Sequence, residues 1–220
     1  MKKKIKSRPL IRRNPVETRA RILRESTKLF AVTGYAGTSI SMLIDAAKVN
    51  QRMIYHYFSD KEGLYREVFL NQWGELKAWF DQALTEEVVP PEEADHPGTY
   101  LVTRALEIFF DFMMTHHDFV RLMMWEGLEG GTVSRSIWKD VRGPLFEQVT
   151  SLAKLAQKEG RLSATIDPAQ LIVSFLGVTT FYFAYASSIG DMIGHEPFED
   201  VAIKERKRHV KELLLQLMRR

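Results

Sequence analysis

The stretch from Thr38 to Lys61, TSISMLIDAAKVNQRMIYHYFSDK, constrains the fold more than any other part of the chain. Ile40, Leu43, Ile44 and Ala47 recur at helical spacing and predict a short helix with one buried stripe. Ala46-Ala47-Lys48-Val49 reads as a turn. Asn50 is placed to cap a second short helix, whose Ile54 and Phe58 face inward one turn apart. Ser59-Asp60-Lys61-Glu62 then has the pattern of a capping box, a hydroxyl three residues ahead of a carboxylate, and predicts a third helix beginning at Ser59.

Two short helices joined by a tight turn form a helix-turn-helix, whose second helix enters the DNA major groove. Gln51 and Arg52 occupy the first turn of that helix, where base edges are reached; Gln pairs with adenine and Arg with guanine. Tyr55, His56, Tyr57 and Lys61 carry hydrogen-bond donors suited to phosphates. Ser39, Lys48, Asn50 and Met53 complete the candidate DNA-contacting set. Periodicity alone fits a core helical hairpin with aromatic packing equally well.

Charge is divided unevenly along the 220 residues. Residues 1–61 hold 14 Lys and Arg against 4 Asp and Glu, whereas the remainder holds 17 against 24. A basic end on an acidic body is the charge pattern of a nucleic-acid reader, and a basic tail that only aids solubility is the plainer alternative. Met1 to Arg13 is a basic arm without one acid, suited to lie along phosphates or enter the minor groove. No apolar run follows it, so it does not read as a secretory signal. The absence of Cys excludes disulfides and thiolate metal sites and suits a cytoplasmic location.

Asn14-Pro15-Val16-Glu17 starts a first helix, which Gly34 ends near Thr33. A long helix is expected from Ser59 to Thr85, then a Pro-rich loop, then helices over 99–115 and 118–126. Residues 133–159 read as mostly helical, with a kink or restart at Gly143-Pro144. A helix from Ala169 to Ile189 has no charged residue, and a last one, preceded by Pro197 and Phe198, runs to Arg220 with an apolar stripe at Val210, Leu213, Leu214 and Leu217. The uncharged helix is long enough to span a membrane, but its Ser, Thr and Tyr content argues for burial in protein. The adjacent His116 and His117 diverge on a helix and do not clamp one metal. Ser151-Leu152-Ala153-Lys154 lacks the companion motifs of Ser-Lys enzymes. No metal site, cofactor or enzymatic activity is expected.

Thr38-Ser39-Ile40, Val49-Asn50, Ile54-Tyr55-His56-Tyr57-Phe58 and Ser59-Asp60-Lys61-Glu62-Gly63-Leu64 together resemble the DNA-binding region of the TetR family of transcriptional regulators. Lys48 stands where that family usually has a turn glycine, Asn50 where it has a serine cap, and Met53 where it has a small or hydroxyl residue. The resemblance implies an all-α fold: a three-helix helix-turn-helix head over residues 1–61, and a six-helix ligand-binding and dimerisation body over 62–220. It implies a homodimer through the last two helices, a palindromic double-stranded DNA operator, no membrane, and repression released by a small apolar or aromatic effector. The Met and aromatic residues between Tyr100 and Trp125 suit either a core or a cavity, and the resemblance favours a cavity. Phe109, Phe112, Met113, His116, Met124 and Trp125 are the candidate ligand contacts. Two alternatives remain: a non-enzymatic dimerisation module that does not bind DNA, and an enzyme built on the acidic body.

Overall fold

The computed structural model describes residues 14–86 and 89–218, so the basic arm and the C-terminal end lie outside the described residues. Helix α1 (Pro15–Gly37) begins where the Asn14 carboxamide accepts a hydrogen bond from the Val16 amide at 3.1 Å, with Pro15 in the first turn. Ile22, Leu23 and Phe30 form its buried face. Gly34 breaks it at φ 69°, ψ 179°, and one further turn carries the chain to Gly37. Helix α2 (Ile40–Ala47) is capped by Ser39 and helix α3 (Gln51–Phe58) by Asn50, each side chain accepting from the amide three residues on. Leu43, Ala47, Ile54 and Phe58 close these two helices onto α1 and form the head.

Helix α4 (Lys61–Glu86) corrects one expectation from the sequence. Ser59 is not its cap. The chain must reverse directly after Phe58, and Ser59 takes a positive φ of 69° to do so, which is incompatible with the extended backbone of an N-cap. Asp60 caps instead, its Oδ1 accepting from the Gly63 amide at 2.7 Å. From there α4 leaves the head and enters the body.

The body contains α5 (Pro97–Thr115), α6 (His117–Leu128), the short α7 (Thr132–Ser136), α8 (Gly143–Lys158), α9 (Pro168–Ala184), α10 (Ala186–Ile193) and α11 (Asp200–Met218). Counting α4, that is eight α-helices among the described residues rather than six. Two expected helices are divided. Residues 133–159 split into α7, a π-helical turn at Trp138–Arg142, and α8. Gly143 permits this junction: a Cβ there would lie 2.9 Å from the Trp138 carbonyl oxygen and 3.0 Å from its indole nitrogen. Residues 169–189 split at Tyr185, where α9 and α10 meet at 89°. The buried Tyr182 hydroxyl donates to the Pro197 carbonyl at 2.7 Å, and α10 folds so that Gly190 packs against Pro197. No single described helix is long and apolar enough to cross a membrane.

Burial of the uncharged helix is one-sided. Leu171, Ile172, Phe175, Tyr182 and Phe183 of α9 face the core, while Val173, Val178 and Phe181 face outward, Phe181 being 52% exposed. One continuous apolar core runs from Ile22 and Phe30 through Tyr65, Phe69, Phe110 and Phe119 to Leu214.

Head and body meet where α1 packs on α6. The Ala31 carbonyl accepts from Arg121 Nε at 2.8 Å and from Trp125 Nε1 at 3.3 Å, and Glu129 Oε1 accepts from the Ala36 amide at 3.0 Å. Gly34 is central to this seam, because a Cβ there would stand 2.8 Å from the Trp125 ring. Its backbone conformation is one that only glycine adopts readily, at a cost to other residues of about 1–3 kcal/mol. Gly34→Ala is therefore expected to lower unfolding free energy by roughly that amount in urea titrations. Trp125→Ala in the same chain should not restore it, because the backbone strain remains.

Candidate nucleic-acid interface and body cavities

Helix α3 is held by two anchors. Ile54 and Phe58 are buried against the head, which turns Gln51, Arg52, Tyr55 and His56 to solvent. Gln51 Nε2 donates to the Tyr55 hydroxyl at 3.4 Å, so these two side chains lie over one another one turn apart. His56 meets Tyr57 edge to face at 5.0 Å, while Tyr57 is half-buried and packs against the core. Met53 is also half-buried, and its amide receives the Asn50 cap. Ser39, Lys48 and Asn50 are exposed on the adjoining cap and turn.

Lys48 resolves the absence of the usual glycine. It adopts the left-handed conformation itself, at φ 50°, ψ 49°, and its amide bonds back to the Asp45 and Ile44 carbonyls. The helix-turn-helix geometry is thus retained with a strained non-glycine residue. Lys61 begins α4, and its ammonium lies 4.1 Å over the Tyr35 ring. Burial there lowers its pKa, with Glu129 opposing.

Deeper in the seam, Glu126 is buried and accepts from the Ser134 amide at 2.7 Å. Burial first, and then Glu126 and Glu129, push the Tyr65 phenol well above its ordinary pKa. Arg66 Nη2 bonds Asp140 Oδ2 at 2.8 Å and so ties the head end of α4 to the π-helical turn.

The six candidate ligand contacts do not converge on one site. Phe112 and Met113 are fully buried core residues. His116 stacks on Phe112 at 3.8 Å and faces a groove of about 770 Å³ between α1 and α4. Met124 and Trp125 line a separate groove of about 520 Å³ with Phe183, Tyr185 and Phe198. Phe109 alone reaches an apolar cavity of about 70 Å³ between α4, α5, α8 and α9. The remaining walls of that cavity include Trp73, Leu76, Phe80, Trp138, Phe146 and Ile172. Arg142 is its one charged side chain, lying 4.8 Å over the Trp73 ring and 5.7 Å over Trp138. These residues come from four distant segments, so no local pattern announced them. The one available hint was a Trp and an Arg just ahead of the helix restart at Gly143-Pro144.

Residues 22–68 match the family model described as bacterial regulatory proteins, tetR family. Residues 100–214 match one described as tetracyclin repressor-like, C-terminal domain. The chain is 31% identical over 121 residues to the HTH-type transcriptional repressor NicS of Pseudomonas putida, a match covering 54% of this chain and 52% of that protein. It is also 31% identical over 120 residues to the HTH-type transcriptional repressor SCO4008 of Streptomyces coelicolor, covering 54% and 55%. The chain thus spans about half the length of these curated relatives. Its fold is similar to the crystal structure of the regulator PfmR from Thermus thermophilus, with a TM-score of 0.67, 22% identity, and coverage of 91% of this chain and 100% of that one.

The geometry of the turn generates a paired stability test. Lys48→Gly should raise unfolding free energy by about 0.5–1 kcal/mol, since glycine removes the left-handed strain. Asn50→Ala should lower it by about 1 kcal/mol through loss of the cap. Thermal and urea unfolding of the two variants beside the parent chain measure both signs.

Proposed function

Because this chain belongs to the TetR family, we propose that it is a DNA-binding transcriptional regulator, acting in the cytoplasm as a repressor that a small effector releases. One observation carries the reading. Helix α3 is clamped by Ile54 and Phe58, so a compact set of side chains with base- and phosphate-binding chemistry, Gln51, Arg52, Tyr55 and His56, is left exposed on its outer face. Gln51 and Arg52 read bases, and Tyr55 and His56 hold phosphates, with Ser39 and Lys48 beside them. The basic arm adds affinity that depends on salt rather than on sequence.

The acting unit is a homodimer joined through α9 and α11. The outward Val173, Val178 and Phe181 of α9 and the half-exposed Leu213 of α11 support this, as does Gly177, where an added Cβ would meet nothing within 4 Å. A two-fold dimer carries two α3 helices, so its operator is a palindrome with half-sites about 34–36 Å apart or a multiple of that. The effector enters the body cavity beside Phe109. Helix α4 supports coupling to DNA, because Leu64 and Val68 belong to its head end while Trp73, Leu76 and Phe80 wall the cavity. A ligand that alters the α4 tilt shifts the recognition helices out of register.

Three measurements test this reading. Random duplex DNA should be retarded at low salt and released as salt rises, whereas a module without DNA binding would leave it unshifted. Arg52→Ala should cost about 1–3 kcal/mol on a selected binding site and relax preference at one position of each half-site. Phe181→Asp should convert a dimer into a 25.4 kDa monomer in sedimentation, because burying an unpaired charge costs several kcal/mol.

A further inference from the structure

Arg142 is out of place in its surroundings. It lines a cavity whose other walls are hydrocarbon and aromatic, and its Nε is buried without a hydrogen-bond partner. Among the described residues its guanidinium has no carboxylate in ion-pair range; its contacts are the faces of Trp73 and Trp138. Glu126 is the nearby charge that favours its ionised form, but one oxygen of that carboxylate is engaged by the Ser134 amide. Burial works against the guanidinium charge and depresses its pKa from the ordinary arginine value. A buried donor left in this condition is costly, and an acceptor from outside the chain relieves that cost.

We propose that the effector of this cavity is an amphipathic monocarboxylate, whose apolar body lies among Trp73, Phe109 and Ile172 and whose carboxylate is held by Arg142. The proposal rests on the reading of the cavity as the effector site. A planar carboxylate matches the fork of the guanidinium, and the two tryptophans hold that fork in place. A neutral apolar molecule would leave the Arg142 Nε donor unsatisfied. A small inorganic anion would leave the apolar walls unfilled, and a cation would be repelled. At about 70 Å³ the cavity is far below the usual size of a ligand site, so binding must widen it. Its outer wall is suited to that: Trp138 is 43% exposed and sits on a π-helical turn, a geometry that departs readily from the regular ladder. The same turn carries Asp140, bonded to Arg66 of α4, so a carboxylate that draws Arg142 inward acts on a segment already tied to the helix entering the head.

Calorimetry of the full chain with paired compounds tests this. Octanoate is compared with octanol, and hydrocinnamate with hydrocinnamyl alcohol, with quenching of tryptophan fluorescence as a second readout because Trp73 and Trp138 wall the cavity. At least one acid should bind about tenfold more tightly than its alcohol, and the better acid shows whether the body is aliphatic or aromatic. Arg142→Leu should abolish that preference while still binding the alcohol; Arg142→Gln serves if the leucine variant does not fold. Equal binding of acid and alcohol to the parent chain would overturn the carboxylate assignment and leave the cavity as an apolar effector site. An acid preference that persists in the Arg142 variants would overturn it as well. If no member of either pair binds, the assignment falls together with the effector reading of the cavity.

Discussion

The architecture depends on one place where a helix is made to stop. Gly34 breaks α1 in a backbone conformation that strains any other residue, and the absent Cβ lets the Trp125 ring come within contact distance. Around that point Arg121, Trp125 and Glu129 from α6 engage main-chain groups at Ala31 and Ala36. Hydrogen bonds to main-chain atoms position the helix itself rather than a rotatable side chain. The head is therefore fixed to the body at α6 as well as through the continuous α4. A third tie, Arg66 to Asp140, joins α4 to the π-helical turn. Two recognition helices in a dimer have a defined spacing only if each head is held in this way.

The same elements join the apolar cavity to the head that carries α3 through one continuous helix. Helix α4 gives Leu64, Tyr65 and Val68 to the core near the head and Trp73, Leu76 and Phe80 to the cavity, with no break between them. Close-packed interiors do not absorb a new occupant locally; they shift between arrangements. On the proposed effector reading, a cavity of about 70 Å³ is the closed arrangement, and a ligand would select a wider one.

Much of the head was legible in the sequence because its rules are local. Asn14 and Asn50 cap the helices they precede, and the inward positions Leu43, Ala47, Ile54 and Phe58 follow from helical spacing alone. The local rule failed at Ser59, because a tertiary requirement for chain reversal took the residue that the capping pattern needed. The body was less legible. Helical periodicity says which residues share a face but not which faces meet, so six candidate contacts between Phe109 and Trp125 were distributed among a core, two grooves and a cavity. The break at Tyr185 is likewise hidden from local patterning, since it depends on a contact between Tyr182 and Pro197 fifteen residues away. The lack of charge in α9 did carry information, although the helix is apolar on an outward face as well as an inward one.

The central claim is that DNA affinity depends on the α1–α6 seam, remote from the α3 side chains proposed to touch DNA. Arg121 and Glu129 are exposed and can be replaced without disturbing the core. The direct measurement is operator affinity of the Arg121→Ala/Glu129→Ala chain across a range of salt. The account predicts binding weaker by roughly tenfold at every salt concentration, with the slope against salt unchanged because the same phosphates are still contacted. Affinity equal to that of the parent chain would contradict it.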